Sequence, residues 1–165
     1  MGDQSASGTH DELHRSIWTE LARAVQDRSH SWRTPVLATL DESGVADART
    51  VVLRSANPVQ QRLILYTDSR SAKTRQLQKA PEATLVFWSE ALSWQLRTYC
   101  RATVIDTGAE VDRVWEGVSS TRAAAEYLGV AQPGSPLTLF ELAKSGGSGG
   151  VKSTFCGYFW RAGYW

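Results

Sequence analysis

Cationic and hydroxyl side chains occur within, or directly after, segments of the chain that are otherwise apolar. They are Arg49, Arg54, Tyr66, Thr67, Ser71, Lys73 and Arg97, and the amide of Gln95 lies in the same strand as Arg97. A charge inside a buried strand costs free energy unless it meets an ion of opposite sign. A helix start also offers free backbone N–H groups to a phosphate. The pattern therefore favours a site for a small phosphorylated ligand.

Structural explanations for the same residues stay open. Arginines are common on the solvent face of antiparallel sheets, and Ser69 or Ser71 suits the cap of a helix. Arg49 and Arg54 are also five residues apart, so a regular strand would direct them to opposite faces. A β-bulge, or a ligand reached from two sides, is needed for both to act together.

Other catalytic chemistries have less support. The run from Gly146 to Ser153 is similar to a phosphate-binding loop, but Val151 stands where that loop requires glycine. No dinucleotide-binding motif occurs, and the three histidines all precede residue 31, which leaves little for a Ser/His/Asp triad. No catalytic residue is therefore assigned.

Metal and disulfide chemistry are not predicted either. His10 and His14 have the spacing of two ligands on one helix, but no third ligand is evident nearby, and a solvated helix face explains them better. Cys100 and Cys156 lack metal-ligand spacing and sit among apolar or aromatic residues, which is typical of reduced, buried thiols.

The composition describes one ordinary domain. The chain has 165 residues, of which 42% are hydrophobic and 21% charged, with a formal net charge of +1. A charge balance so close to zero argues against a nucleic-acid partner. Without an apolar run of about 18 residues or a signal-peptide pattern, we expect no membrane association and a cytoplasmic location.

Hydrophobic periodicity predicts the elements that position the polar residues. Apolar residues recur every four positions from Leu13 to Val25, which predicts a helix. Strands are predicted over 35–40, 45–55, 63–67, 83–88 and 93–106, a turn over 41–44, and helices over 69–79 and 110–128, the latter broken near 117–120. Strands joined by turns favour an α+β fold, with an antiparallel barrel of about six strands and flanking helices.

The domain organisation follows from changes in composition. Residues 1–9 are small and polar and predict a disordered tail, and residues 10–144 form the folded domain. Residues 145–150 have the composition of a Gly/Ser linker or loop. Residues 151–165 are rich in aromatic side chains, which suits either a last strand after a long loop or an altered or appended end.

Four motifs together resemble the FMN-binding split barrel of the pyridoxamine 5′-phosphate oxidase family. They are Arg49-Thr50-Val51-Val52-Leu53-Arg54, Tyr66-Thr67, Ser69-Arg70-Ser71-Ala72-Lys73 and the strand that contains Gln95. Their order and gaps match from about Trp32 to Asp106, and more weakly as far as Leu128. Each motif alone is weak, whereas the ordered set is fairly specific.

The resemblance implies FMN as the cofactor and assigns residues to it. These are Arg49, Thr50, Val51, Val52, Leu53, Arg54, Tyr66, Thr67, Ser71, Lys73 and Gln95. The cations and Ser71 would bind the FMN phosphate or its neighbouring hydroxyls, and residues 50–53 would lie along the flavin ring. Tyr66 and Thr67 would contact the flavin and the phosphate. Gln95 would reach the cofactor from the partner subunit of a homodimer.

Departures from the family pattern leave the substrate open. Ala72 stands where the family has an arginine, so Arg70 or Arg75 would have to substitute for it. The implied substrate residues are Arg54, Trp115 and Arg122, with Trp115 in place of a tyrosine. We therefore expect a flavin-dependent oxidoreductase that acts on an unidentified small molecule. The alternatives are a non-catalytic or stress-related FMN-binding module and a genuine pyridoxamine/pyridoxine 5′-phosphate oxidase.

Overall fold

The computed structural model describes residues 4–120 and 155–163 and has an α+β architecture. Its helices are α1 (Gln4–Gln26), α2 (Ala72–Lys79) and α3 (Ala109–Ser119), with a 3₁₀ turn at Ser31–Arg33. Its strands are β1 (Val36–Leu40), β2 (Ala46–Thr50), β3 (Leu53–Asn57), β4 (Arg62–Asp68), β5 (Glu82–Ser89), β6 (Trp94–Ile105) and β7 (Phe155–Gly163). None of the helices in the described ranges is long and apolar enough to cross a bilayer.

The strands form one seven-stranded sheet in the order β2-β1-β5-β6-β7-β4-β3, with antiparallel pairing throughout. β2 and β3 follow each other in the chain but lie at opposite edges of the sheet. β7 lies between β4 and β6, so the aromatic segment of the sequence does form a strand. Residues 145–150 lie outside the described ranges.

The single strand predicted over 45–55 is two strands, so the sheet has seven strands rather than the predicted number of about six. Residues 46–50 pair with β1, whereas residues 53–57 pair with β4, and the chain changes partner at Val51-Val52. The Val51 N–H donates to the Pro35 carbonyl at 3.0 Å. In β3 the register shifts between Leu53 and Ser55, which leaves Arg54 at a β-bulge. Arg49 and Arg54 therefore belong to different strands, and the alternation of one regular strand does not govern them.

α1 is longer than predicted, because it begins at Gln4 within the segment assigned to a disordered tail. Once a helix is nucleated, each further residue adds a hydrogen bond at little cost, and residues 4–10 contain no proline to stop it. The C-terminal end of α1 is fixed by Arg33, whose Nη1 donates to the carbonyls of Ala24 and Val25 at 3.3 and 2.8 Å.

α3 ends at Ser119, within the segment 117–120 where the sequence predicts a break. The rest of the predicted helical segment, to Leu128, lies outside the described residues.

The core lies on the inner face of the sheet and beneath α1 and α2. Alternate residues of the strands are fully buried, as the period of two requires. The core residues of β1, β3, β4 and β5 are Leu37, Leu53, Leu63, Leu65, Leu85 and Phe87. They are joined by Trp18 and Leu21 of α1, Trp32 of the 3₁₀ turn and Leu77 of α2. At about 1.5–3 kcal/mol for each buried large apolar side chain, this core supplies most of the stabilisation.

The opposite face of β1, β5 and β6 carries large apolar side chains that are exposed. Cross-strand pairing aligns Val36 with Val86, Thr84 with Tyr99, and Trp88 with Gln95. Trp88 is 56% exposed and Tyr99 45% exposed. We call this surface, formed by residues 36, 38 and 40 of β1, 84, 86 and 88 of β5 and 95, 97 and 99 of β6, the outer sheet face. Exposed apolar patches of this kind mark interaction surfaces.

Candidate functional site

Arg49 lies in a polar network between β1, β2 and α2. It faces inward because its cross-strand partner is the buried Leu37. Its Nη1 donates to Thr39 Oγ1 at 2.5 Å and its Nη2 to Gln76 Oε1 at 3.2 Å, and it forms an ion pair with Asp47. The Arg49 side chain is 22% exposed. The structure thus ties a half-buried cation to the helix that carries Ser71 and Lys73.

The start of α2 is cationic rather than acidic. Ser71 occupies the N-cap position without capping the helix through its side chain, and the first turn contains Lys73 and no acidic residue. Because a helix N-terminus already carries partial positive charge, a lysine in the first turn adds to that charge and favours a bound anion. The Ser71 hydroxyl is buried and lies 3.0 Å from the Thr74 hydroxyl. To bind a phosphate, the Ser71 hydroxyl must therefore either give up its contact with Thr74 or take part in both contacts.

The two arginines named as substitutes at Ala72 make other contacts. The Arg70 guanidinium donates two hydrogen bonds to the buried carboxylate of Asp68, from Nε to Oδ1 at 3.0 Å and from Nη2 to Oδ2 at 2.6 Å. This hydrogen bonding raises the pKa of Arg70 above its already high usual value. Arg75 donates to the backbone carbonyl of Arg70. In this conformation Arg70 stiffens the loop before α2, and its charge is already balanced by Asp68.

Arg54, Tyr66 and Trp115 lie in one neighbourhood. The Arg54 guanidinium carbon is 6.0 Å from the centre of the Tyr66 ring, within the range of a cation–π contact. Tyr66 and Trp115 both pack against Val111 of α3. The bulge at Arg54 thus places a cation beside an aromatic surface formed by β4 and α3. Arg122, the third substrate residue that the resemblance implied, lies outside the described residues.

The segment implied to lie along the flavin ring is the link between β2 and β3. Thr50 is exposed, Val51 and Val52 are half-buried, and Leu53 is fully buried in the core. Within this segment, Thr50, Val51 and Val52 are therefore the residues that a ligand could contact. Thr67, near the end of β4, is also buried, with 6% exposure.

Gln95 is separated from Arg49 within one chain. Gln95 pairs with Trp88 on the outer sheet face, whereas Arg49 points to the inner face. Gln95 lines a cavity of about 1000 Å³ between α1 and β6, together with Trp94, Arg97 and Trp32. The chain thus brings Arg49 to α2 and Arg54 to Tyr66 of β4, but it leaves Gln95 on a different surface.

Sequence reasoning missed Thr39, Asp47 and Gln76, which surround Arg49. The signal available was Gln76 itself, a polar residue at a position where the periodicity of α2 calls for an apolar one. Gln76 is 8% exposed. A buried amide of this kind requires polar partners.

The donors present suit a phosphorylated flavin. Arg49, Lys73 and the N-terminus of α2 provide charge-assisted donors for a phosphate. Tyr66 and the β2–β3 link provide an aromatic and an apolar surface for a ring system. Among the residues whose side chains are described, no group of three His, Cys, Asp or Glu side chains could hold a metal ion.

Sequence comparisons agree with this chemistry. Residues 15–106 match the family model described as pyridoxamine 5′-phosphate oxidase, FMN-binding domain. The pyridoxine/pyridoxamine 5′-phosphate oxidase of Azorhizobium caulinodans is 34% identical over 138 residues, which cover 82% of this chain and 60% of that protein. That of Legionella pneumophila (strain Lens) is 38% identical over 72 residues, which cover 44% of this chain and 33% of the relative. The chain thus spans less than two thirds of these relatives.

Solved structures share the fold. A pyridoxamine 5′-phosphate oxidase-related, FMN-binding protein from Nostoc punctiforme superposes with a TM-score of 0.69 at 23% identity, over 88% of this chain and 78% of that one. PhzG from Burkholderia lata, solved with tetrahydrophenazine-1-carboxylic acid, gives a TM-score of 0.66 at 21% identity, over 87% and 73%. At these identities the likeness concerns the fold.

Proposed function

The chain belongs to the family of pyridoxamine 5′-phosphate oxidase FMN-binding domains and its cofactor is FMN; from this premise we propose that it is a homodimeric oxidoreductase acting on a small organic molecule. The observation that carries the proposal is the hydrogen bond between Arg49 and Gln76, which puts a cation against the helix whose first turn contains Lys73. A phosphate-bearing cofactor explains why these positive groups are gathered there.

Arg49 and Lys73 would hold the FMN phosphate, with Ser71 and Thr67 as hydroxyl partners. The backbone of residues 50–53 would run along the ring. When bound, FMN supplies the redox chemistry, since it accepts a hydride from an organic substrate. The protein's part is to bind, to orient and to supply positive charge, and this mechanism requires no side chain to act as a base.

Arg54, Trp115 and Arg122 would form the substrate side of the site. The cation–π contact of Arg54 with Tyr66 supports a planar substrate with a negative group beside the ring. Ala72 and Trp115 depart from the pattern of the vitamin B6 oxidases. Because of those departures, and because PhzG of the same fold was solved with a carboxylic acid, we place the substrate outside the vitamin B6 phosphates.

The dimer is proposed from the outer sheet face. Trp88 and Tyr99 are large and exposed on the same face as Gln95, and Trp88 is its cross-strand neighbour, which supports burial of this face against a second copy. In such a dimer Gln95 would reach the partner's flavin, which accounts for its separation from Arg49. The α1–β6 cavity that Gln95 lines would then face the same cofactor.

A split barrel is the form of the fold that the β2–β3 link supports. A flat sheet of this many strands is roughly 29 Å wide at about 4.8 Å between neighbouring strands. The chain from Thr50 to Leu53 can span at most about 11 Å. The sheet must therefore curl so that its two edges approach. The proposed cofactor domain, 10–144 from the sequence, extends to β7 because β7 pairs with both β4 and β6.

Substitution of the two phosphate cations tests the proposed site. A charge-assisted hydrogen bond contributes about 1.5–3 kcal/mol, so Arg49→Ala and Lys73→Ala should each weaken FMN binding by about 10- to 150-fold. Lys79→Ala, an exposed lysine at the other end of α2, is the matched control and should bind like the wild type. Binding is followed by quenching of flavin fluorescence. Unchanged FMN affinity in both cation variants would refute the assignment.

A further inference from the structure

We infer that Gln76 is a positioning residue that holds the Arg49 guanidinium against α2 for the cofactor phosphate. The inference rests on the proposed function and adds to it a residue that need not touch FMN. Gln76 lies one turn after Lys73 on α2, so the two side chains share a face of the helix. Through Gln76, the cation of β2 is linked to the helix whose N-terminus would meet the same anion.

The network fixes both ends of the Gln76 amide. Its Oε1 accepts from Thr39 Oγ1 at 2.6 Å and from Arg49 Nη2 at 3.2 Å. Its Nε2 donates to Asp47 Oδ2 at 2.9 Å. A flipped amide would set its NH₂ group against the guanidinium and its oxygen against the carboxylate, and both contacts are repulsive. Only one orientation of Gln76 satisfies all its neighbours.

Thr39 locks the same geometry from β1. Its hydroxyl accepts from Arg49 Nη1 at 2.5 Å and donates to Gln76 Oε1, so one oxygen connects the other two residues. Thr39 is 3% exposed. Inside a protein such linked hydrogen bonds strengthen each other and resist rearrangement. The guanidinium is thus held at both Nη atoms, and the N–H groups that these contacts do not use are left for an anion.

Gln76 also weakens the competition from Asp47. The Asp47 carboxylate is an ion-pair partner of Arg49 and would compete with a phosphate for it. Gln76 donates to that same carboxylate oxygen and so satisfies part of its charge. Without Gln76, Asp47 becomes the main partner of Arg49 and draws the guanidinium toward β2, away from the helix start.

The test compares FMN with riboflavin, which has the same ring but no phosphate. Removal of a supporting partner behind a metal ligand costs about 10- to 100-fold in affinity. At this phosphate site we expect Gln76→Leu to weaken FMN binding by about 10-fold and riboflavin binding by less than about 2-fold, so that the preference for FMN falls. Gln78→Leu changes an exposed glutamine of the same helix and should leave both affinities unchanged.

A double-mutant comparison separates positioning from direct contact. If Gln76 acts through Arg49, Gln76→Leu should change FMN affinity by less than about 2-fold in an Arg49→Ala background. Thr39→Val should reproduce the loss of FMN preference, and it provides the test if Gln76→Leu does not fold. Dissociation constants and thermal unfolding are measured for every variant.

Each unfavourable outcome has a distinct meaning. Equal weakening of FMN and riboflavin by Gln76→Leu would overturn the inference, because it would indicate general damage to the fold. If Gln76→Leu weakened FMN binding as much in the Arg49→Ala background as in the wild type, the inference would also be overturned, because Gln76 would then act independently of Arg49. If Arg49→Ala itself left FMN affinity intact, the proposed phosphate site would fail, whatever Gln76 does.

Discussion

Trp88→Ala should dissociate the proposed dimer. Trp88 is 56% exposed on the outer sheet face, between Val86 and the end of β5. A whole tryptophan buries up to about 250 Å², so roughly 140 Å² of it is available to a partner. At about 25 cal/mol per Å², complete coverage of Trp88 by the partner stabilises the dimer by about 3.5 kcal/mol for each protomer. Coverage of half that area gives about 1.7 kcal/mol.

A two-fold interface contains the substituted residue twice. Even half coverage therefore removes about 3 kcal/mol from the dimer, which raises its dissociation constant by about 100-fold or more. Sedimentation equilibrium over a range of concentrations measures this constant directly. Because Gln95 would no longer reach the partner's flavin, FMN binding should weaken in the same concentration range.

Val59→Ala is the matched control for this experiment. Val59 is 92% exposed, but it lies in the turn between β3 and β4 rather than on the outer sheet face. Its replacement should leave self-association unchanged. A Trp88→Ala protein that unfolds like the wild type and dimerises with a constant within about 2-fold of it would refute the assignment of this face.

Two further predictions concern ionisable groups. Burial alone would raise the pKa of Glu20, but the hydrogen bonds with His30 and Arg23 outweigh it and hold the pKa below its usual value. The folded state therefore favours the ionised carboxylate, and the resulting stability is present above about pH 4.5 and is lost as pH falls through the folded pKa. Glu20→Gln should flatten the acid side of a urea-unfolding series between about pH 3 and 6, and an unchanged profile would contradict this. Burial raises the pKa of the Cys100 thiol to about 11. In a Cys156→Ser background, this thiol should therefore resist an aromatic disulfide reagent near pH 8 and react once urea unfolds the chain. Rapid reaction of the folded protein would contradict this prediction.

Most elements could be predicted because their periodicity is local. β1, β4, β5 and β6 lie within two residues of their predicted bounds, since alternating or continuous apolar runs and the turn residues between them mark strands without reference to the rest of the chain. The end of α2 before Pro81 follows from the steric effect of proline on the preceding residue.

The break at Val51-Val52 could not be predicted in this way. Three apolar residues in a row, 51–53, continue the strand pattern, and nothing local marks a change of pairing partner. The break exists because β1 and β4, the partners of the two halves, lie far apart in the sheet. For the same reason the sequence could identify Arg49 and Arg54 as candidates without showing how one site could use both.

The surroundings of Arg49 were beyond sequence reasoning for a related reason. Thr39, Asp47 and Gln76 come from three elements, and their contacts cross up to 37 residues of chain. The long polar side chain of Gln76 on the buried side of α2 indicated that a partner must exist. It did not indicate which partner, because side-chain hydrogen bonds over such separations are set by strand register and helix docking.

The position of β7 has a consequence for how this protein acquires its structure. β7 joins the sheet between β4 and β6, although α2, β5, β6 and α3 all separate it from β4 in sequence. Until that strand docks, a ribosome-bound chain holds β4 and β6 with open edges, and open edges readily recruit strands from neighbouring molecules. Such long-range closure also slows folding. Aggregation during synthesis should therefore depend strongly on expression rate and temperature, and slow expression in the cold is the condition that favours the correct pairing.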